Sequence, residues 1–146
     1  MGLEITALGR HVLIEFYGCP SEVIENNALI EQHMRGAADY SGATIVESVF
    51  HHFNPYGVSG AVIIAESHLT IHTWPEYGFA SVDVYTCGDS VNPWKAADYL
   101  SEKLQAKKTE SFEVPRGMVD KIKQFAEREI EEVLVKPEME GMVLEK

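Results

Sequence analysis

The sequence predicts a two-layer α/β sandwich on a mostly antiparallel sheet. Three observations lead there. Between Ala43 and Thr86, four β-type segments follow one another with only turns between them. Two stretches with helical spacing of apolar residues flank that run. A further β segment lies outside each of them. Hairpin strands in series, with helices sharing one sheet, give two layers. A parallel doubly wound sheet needs strand and helix to alternate throughout, which this chain does not do.

Gly9 to Tyr17 is the first predicted strand, rich in Val, Ile and aromatic residues. Gly18-Cys19-Pro20 breaks it. Ser21 is the expected N-cap of a first helix, with Glu22 and Glu25 in its first turn. That helix runs to about Tyr40, turns Val23, Ile24, Leu29, Ile30 and Met34 inward, and stops at Ser41-Gly42. Ala43 to Phe53 alternates and is β-branched, a second strand. Asn54-Pro55-Tyr56-Gly57 signals a turn. Val58 to Ala65, Leu69 to Trp74 and Phe79 to Thr86 are the next three strands, the last two separated by Pro75-Glu76-Tyr77-Gly78. Asp89 or Asn92 caps a second helix from Pro93, a favoured first-turn proline. It carries Trp94, Ala97, Leu100 and Leu104. Ser111 to Val114 is a short last strand, ended by Pro115-Arg116-Gly117. Met118, Ile122, Phe125, Ala126, Ile130, Val133 and Leu134 recur at helical spacing. A third helix is therefore expected over Gly117 to Leu134, followed by a polar, mobile tail from Lys136.

A chain of 146 residues with 45% hydrophobic content suits one soluble domain with a single core. The net charge of −11 argues against nucleic acid, whose phosphates require Lys and Arg. It is compatible with a cationic small-molecule substrate. There is no apolar run of roughly 18 residues, so no membrane span is expected. Met1-Gly2-Leu3-Glu4 lacks the basic and apolar regions of a signal peptide, so a cytoplasmic location is expected. Cys19 and Cys87 read as free thiols in that compartment.

The stretch Ala65 to Glu76 is unusual for core β structure. It holds Glu66, Ser67, His68, Thr70, His72, Thr73 and Glu76 within twelve positions. Each unpaired buried polar group costs about 1–3 kcal/mol, so these groups must satisfy one another or perform chemistry. His68 and His72 share a strand face but lie roughly 13 Å apart by strand rise, too far for one metal, and no metal site is expected. Ser67 has two readings. A Ser between hairpin strands is ordinarily a turn residue. Alternatively, its Oγ attacks the carbonyl of Glu66 in an N→O acyl shift, followed by β-elimination that cuts the chain. His72, Thr70, Ser59 and His68 are candidate helpers, expected within hydrogen-bonding reach of a compact turn. Cys87 reads either as a core thiol or as a strand-end acid or nucleophile, and Cys19 occupies a similar strand-end position. Phe53, before a turn, is either core or a platform for a flat ligand.

Glu66-Ser67-His68-Leu69-Thr70-Ile71-His72-Thr73-Trp74-Pro75-Glu76 resembles the self-processing segment of the prokaryotic pyruvoyl-dependent S-adenosylmethionine decarboxylases. Leu8-Gly9-Arg10-His11, Phe53 to Gly60 and Asp83 to Gly88 resemble flanking motifs of that family, in the same order. The resemblance implies cleavage between Glu66 and Ser67, into a β chain 1–66 and an α chain 67–146. Ser67 would become the pyruvoyl group, with Ser59 assisting the ester step and His72 acting as base for the elimination. That group would form a Schiff base with S-adenosylmethionine and act as the electron sink for loss of CO₂. Cys87 would return the proton. The product would be the aminopropyl donor for spermidine synthesis. Phe53 would stack on adenine, Glu76 would bind the ribose hydroxyls, and Glu15 is a further candidate acid. The family's fold is a two-layer sandwich, and a homodimer of αβ units with sites at the interface is implied. The family-like domain covers 1–116; 117–146 is an extension beyond the short members. Two alternatives stand beside this reading: a pyruvoyl-dependent arginine or ornithine decarboxylase, and a non-processing regulatory paralogue. Phe53 and Glu76 speak against the first. Retention of Ser59, Ser67, His72 and Cys87 together speaks against the second.

Overall fold

The computed structural model describes residues 5–126 and 134–135. Strand β1 (Ile5–Tyr17) leads through α1 (Ser21–Ile24) and α2 (Asn27–Ser41) to β2 (Ile45–His52), β3 (Val58–Ile64), β4 (Ser67–Trp74) and β5 (Phe79–Cys87). A 3₁₀ turn, Pro75–Tyr77, separates β4 from β5. Then come α3 (Pro93–Lys103), β6 (Lys108–Met118), α4 (Val119–Ile122) and β7 (Leu134–Val135). The sheet order is β2-β3-β4-β5-β1-β6, with β7 against the start of β1. Every pairing among the described residues is antiparallel. The two-layer class read from the sequence is thus the fold.

One face of the sheet is dry. Val12, Ile14 and Phe16 of β1, Leu69 and Ile71 of β4, and Val82 and Val84 of β5 are buried. They share one core with Ile30, Met34 and Ala37 of α2 and Ala96, Ala97 and Leu100 of α3. Burial of each large apolar side chain there is worth about 1.5–3 kcal/mol. Because strand side chains alternate, the same strands send His11, Glu15, His68, Thr70, His72, Ser81, Asp83 and Tyr85 to the opposite face. Among the described residues, the helix that borders that face is the short α4, whose Lys121 and Ile122 line a cavity with His11 and Leu13. No helix among the described residues is long and apolar enough to cross a membrane.

Several boundaries differ from the sequence reading. The first helix is two. Asn26 takes an extended conformation, and its side chain accepts from the Leu29 amide at 3.0 Å, so a good capping residue restarts the helix. Pro20, not Ser21, stands at the first N-cap, with no side-chain cap bond there. The last long strand runs straight through Pro115 to Met118. It is an edge strand, where a proline without an N–H is tolerated. The third helix is a single turn that gives way at Lys123, and Phe125 is 86% exposed rather than core. Leu134–Val135 is a strand, pairing with Ile5 and Thr6. Those two β1 residues extend past Ala7, the last partner of β6, and leave an open edge for it. Residues 127–133 of the expected helix and the tail from Lys136 lie outside the described residues.

Candidate active site

The β3–β4 hairpin turns on Ala65-Glu66, with Ile64 opposite Ser67. Ser67 sits at φ +146°, a backbone conformation rare outside glycine. It is pinned on both sides: the Ala65 amide donates to the Thr44 carbonyl at 2.9 Å, and Ser67 pairs with Thr86 of β5. The Glu66 side chain accepts from the Thr44 amide at 3.1 Å. The Cys87 amide donates to the Glu66 carbonyl oxygen at 2.9 Å. Ser67 Oγ and Cys87 Sγ share a 3.2 Å hydrogen bond. Hydroxyl, thiol and a backbone donor thus converge on the Glu66–Ser67 peptide. The geometry favours the reactive reading of Ser67 over the turn reading: a donor already rests on the carbonyl that an acyl shift would turn into an oxyanion.

The two cysteines part company here. Cys87 is exposed, at the hairpin. Cys19 is buried, and that burial pushes its thiol up to about 11, into an inert range.

Ser59 and His72 are hydrogen-bonded to each other, Oγ to Nδ1 at 2.8 Å. They are not at the turn. His72 lies five residues along β4 from Ser67, about 16 Å by strand rise. The expectation that they help Ser67 within one chain fails for that reason. They belong to a polar row across the sheet: His51, Ser59, His72, Ser81, Glu15 and Glu110 are successive cross-strand partners. Burial, then the Glu110 charge, raises the Glu15 carboxyl above its ordinary value. Phe53 and Glu76 are exposed in turns at this same end of the sheet, beyond His52 and Trp74. Phe53 lies edge-on to His51, ring centroids 4.5 Å apart.

His68 and Thr70 do something else. Both donate to Asp83, His68 Nε2 to Oδ2 at 3.2 Å and Thr70 Oγ1 to Oδ1. His11 Nε2 donates to the same Oδ2 at 2.5 Å, and Arg116 Nη1 donates to His11 Nδ1 at 2.7 Å. His11 stacks on Tyr85 at 4.9 Å, and the Arg116 guanidinium lies over the same ring at 5.2 Å. A Cβ on Gly9 would meet that ring at 2.6 Å, so glycine makes room for Tyr85. Burial would raise the Asp83 carboxyl, but the hydrogen bonds from His11, Thr70 and His68 outweigh it and hold it down to about 2. The ligating atoms of His11, His68 and Asp83 lie within 4.8 Å of one another. Arg116 donates to Nδ1 of His11, which leaves the His11 proton on Nε2, directed at Asp83. The trio as built is a hydrogen-bond hub rather than a vacant ligand set.

The sequence reading missed Asp83, His11 and Arg116 as members of one cluster. The signal was alternation: Asp83, Tyr85 and Cys87 share a face, as do His68, Thr70 and His72.

The chain is similar to known proteins over most of its length. Residues 10–117 match the family model described as S-adenosylmethionine decarboxylase. The chain is 59% identical over 116 residues to the S-adenosylmethionine decarboxylase proenzymes of Thermotoga petrophila and Thermotoga maritima, covering 80% of this chain and 89% of each relative. It also resembles the crystal structure of the adenosylmethionine decarboxylase from Aquifex aeolicus. There the TM-score is 0.73 at 37% identity, over 86% of this chain and 98% of that one.

Proposed function

We propose that this chain, which belongs to the S-adenosylmethionine decarboxylase family, cuts itself between Glu66 and Ser67 and decarboxylates S-adenosylmethionine. The observation that carries the reading is the Cys87 amide on the Glu66 carbonyl oxygen, beside a strained Ser67. Ser67 Oγ adds to the Glu66 carbonyl carbon while the Cys87 N–H holds the oxygen. The C–N bond breaks and an ester links Glu66 to Ser67 Oγ. A base removes the Ser67 Cα proton, the Cβ–Oγ bond breaks, and Glu66 leaves as a carboxylate that keeps Oγ, with a dehydroalanine left at residue 67. Water then replaces nitrogen on the residue-67 fragment, releasing ammonia and leaving a ketone. The β chain is 1–66 and the α chain 67–146. The pyruvoyl group so formed supplies an electron sink for loss of CO₂ from an α-amino acid. Cys87 Sγ, already within 3.2 Å of Ser67 Oγ, is placed to deliver the proton that replaces CO₂.

The base must come from elsewhere, because Ser59 and His72 lie about 16 Å down the strand. A second copy meets this need. The polar face exposes Leu13, Ile63 and Trp74, and among the described residues only the short α4 segment borders it, beside His11 and Leu13. Two such faces packed about a two-fold axis midway between Ser67 and His72 would bring each copy's Ser59–His72 pair to the other's Glu66–Ser67 bond. Phe53, Glu76 and Glu15, at the His72 end, then arrive with that pair. An aromatic face suits adenine and the sulfonium, and a carboxylate suits the ribose diol. The family-like domain is 1–116, and 117–146 is an extension that closes the open edge of β1 through Leu134–Val135.

The test is the intact mass under denaturing conditions. Wild-type protein should give two fragments meeting at Glu66/Ser67, the larger with a blocked N-terminus, and Ser67→Ala one uncut chain. CO₂ release should follow with S-adenosylmethionine and not with arginine or ornithine. An uncut wild-type chain would overturn the reading.

A further inference from the structure

Cleavage creates a mechanical problem that the hub around Asp83 answers. Before the cut, residue 67 is held by the hairpin: the Ala65 amide on Thr44, the Glu66 side chain on the Thr44 amide, and Ile64 opposite Ser67. All of these belong to the β chain. After the cut, residue 67 is a free strand end, and free ends fray. Two attachments stay within the α chain. One is the backbone pairing with Thr86. The other is Asp83, which takes His68 on one carboxylate oxygen and Thr70 on the other. These are the first and third residues after Ser67. Asp83 is itself braced, since its Oδ2 also takes His11, which Arg116 holds from behind. The brace reaches β1 and β6, the far side of the sheet.

We propose that Asp83 is a positioning residue that anchors the new N-terminus of the α chain, holding residue 67 against Cys87 once the Glu66–Ser67 bond is gone. This rests on the self-cleavage reading and says what that reading requires. The amide joining residue 67 to His68 must stay coplanar with its ketone to share charge, and it turns with the His68 backbone. Asp83 sets that backbone through the His68 and Thr70 side chains. The role begins after cleavage, so Asp83 is dispensable for the cut and needed for turnover.

The experiment compares wild type, Asp83→Asn, Thr70→Val and Thr70→Ser as full-length proteins. Cleavage is read by intact mass. Anchoring is read by hydrogen exchange of the peptide covering 68–74 in the cleaved protein, and turnover by kcat and KM. Asp83→Asn should cleave, exchange that peptide at least about tenfold faster, and lose about 10- to 100-fold in kcat with little change in KM, as for a reacting group misplaced by about an ångström. Thr70→Val should shift the same way by less, and Thr70→Ser, which keeps the hydroxyl, should restore wild-type values. Asp83→Asn with wild-type exchange and kcat would overturn the proposal. So would a folded Asp83→Asn that stays uncut, since Asp83 would then act before cleavage. If Asp83→Asn does not fold, Thr70→Val decides: unchanged exchange and kcat overturn it. An uncut wild type would instead remove the cleavage reading itself.

Discussion

The amide of Cys87 lies 2.9 Å from the carbonyl oxygen of Glu66, while the thiol of the same residue lies 3.2 Å from Ser67 Oγ. One residue thus faces the Glu66–Ser67 peptide, the bond proposed to be cut, with two different groups. The amide belongs to the backbone and survives any substitution except proline. The thiol does not. Cleavage and turnover are therefore separable at this position.

Cys87→Ala should still yield both fragments, because the donor on the Glu66 oxygen remains. Its kcat should fall by about 10²-fold or more, the range for losing a placed proton donor. Intact mass checks the first half and CO₂ release the second. Normal turnover would remove the thiol from the mechanism.

The distance between Ser67 and His72 makes a second prediction. Ser67→Ala and His72→Ala proteins should each stay uncut alone. Co-expressed, they should form mixed dimers in which the His72→Ala chain keeps its Ser67 and borrows His72 from its partner. That chain should be cut and the Ser67→Ala chain should not, which mass spectrometry resolves directly. If neither is cut, the two-copy site is wrong.

Much of this was legible in the sequence because β side chains alternate. Leu69, Ile71, Val82 and Val84 announced the dry face, and the polar positions between them announced the other. The clustering of chemistry near Ser67 was legible too. Its partition was not. Strand rise separates His68 from His72 and equally removes His72 from Ser67, but the partner of His72 depends on register. Only the two-residue hairpin, setting Ile64 against Ser67, puts Ser59 opposite His72. His11 and Asp83 are 72 residues apart in the chain, joined because β1 lies beside β5. The C-terminal helix misled for a different reason. Among the described residues of that segment only Val119–Ile122 is helical, and apolar spacing alone does not hold so short a helix.

Asp83 should leave a signature in acid. Free in the unfolded chain it titrates near 3.8, and in the fold at about 2. The fold therefore favours the ionised form. That contribution is complete above the unfolded value and is lost as pH falls from about 4 toward about 2. Asp83→Asn should be less stable than wild type at neutral pH, with the gap closing through that window. Urea midpoints measured across it check this. A gap independent of pH would mean that the carboxylate charge contributes nothing.

Glu113 supports a last prediction about what holds the sheet's edge. Its side chain is fully buried, and Oε1 takes Arg10 Nε at 2.8 Å, Arg10 Nη2 at 2.5 Å and Trp94 Nε1 at 3.2 Å. Removing Arg10 alone strands a buried carboxylate, so Arg10→Met should cost about 3–5 kcal/mol. Removing both charges restores an apolar interior. Only the Trp94 N–H is then left without its acceptor, a loss of about 1–3 kcal/mol. The double variant Arg10→Met/Glu113→Leu should therefore be more stable than Arg10→Met alone, although it carries one substitution more. Denaturant unfolding of the single and double variants in the uncut Ser67→Ala background isolates this from cleavage. A double variant less stable than the single would show that the pair gives the fold more than it costs to bury.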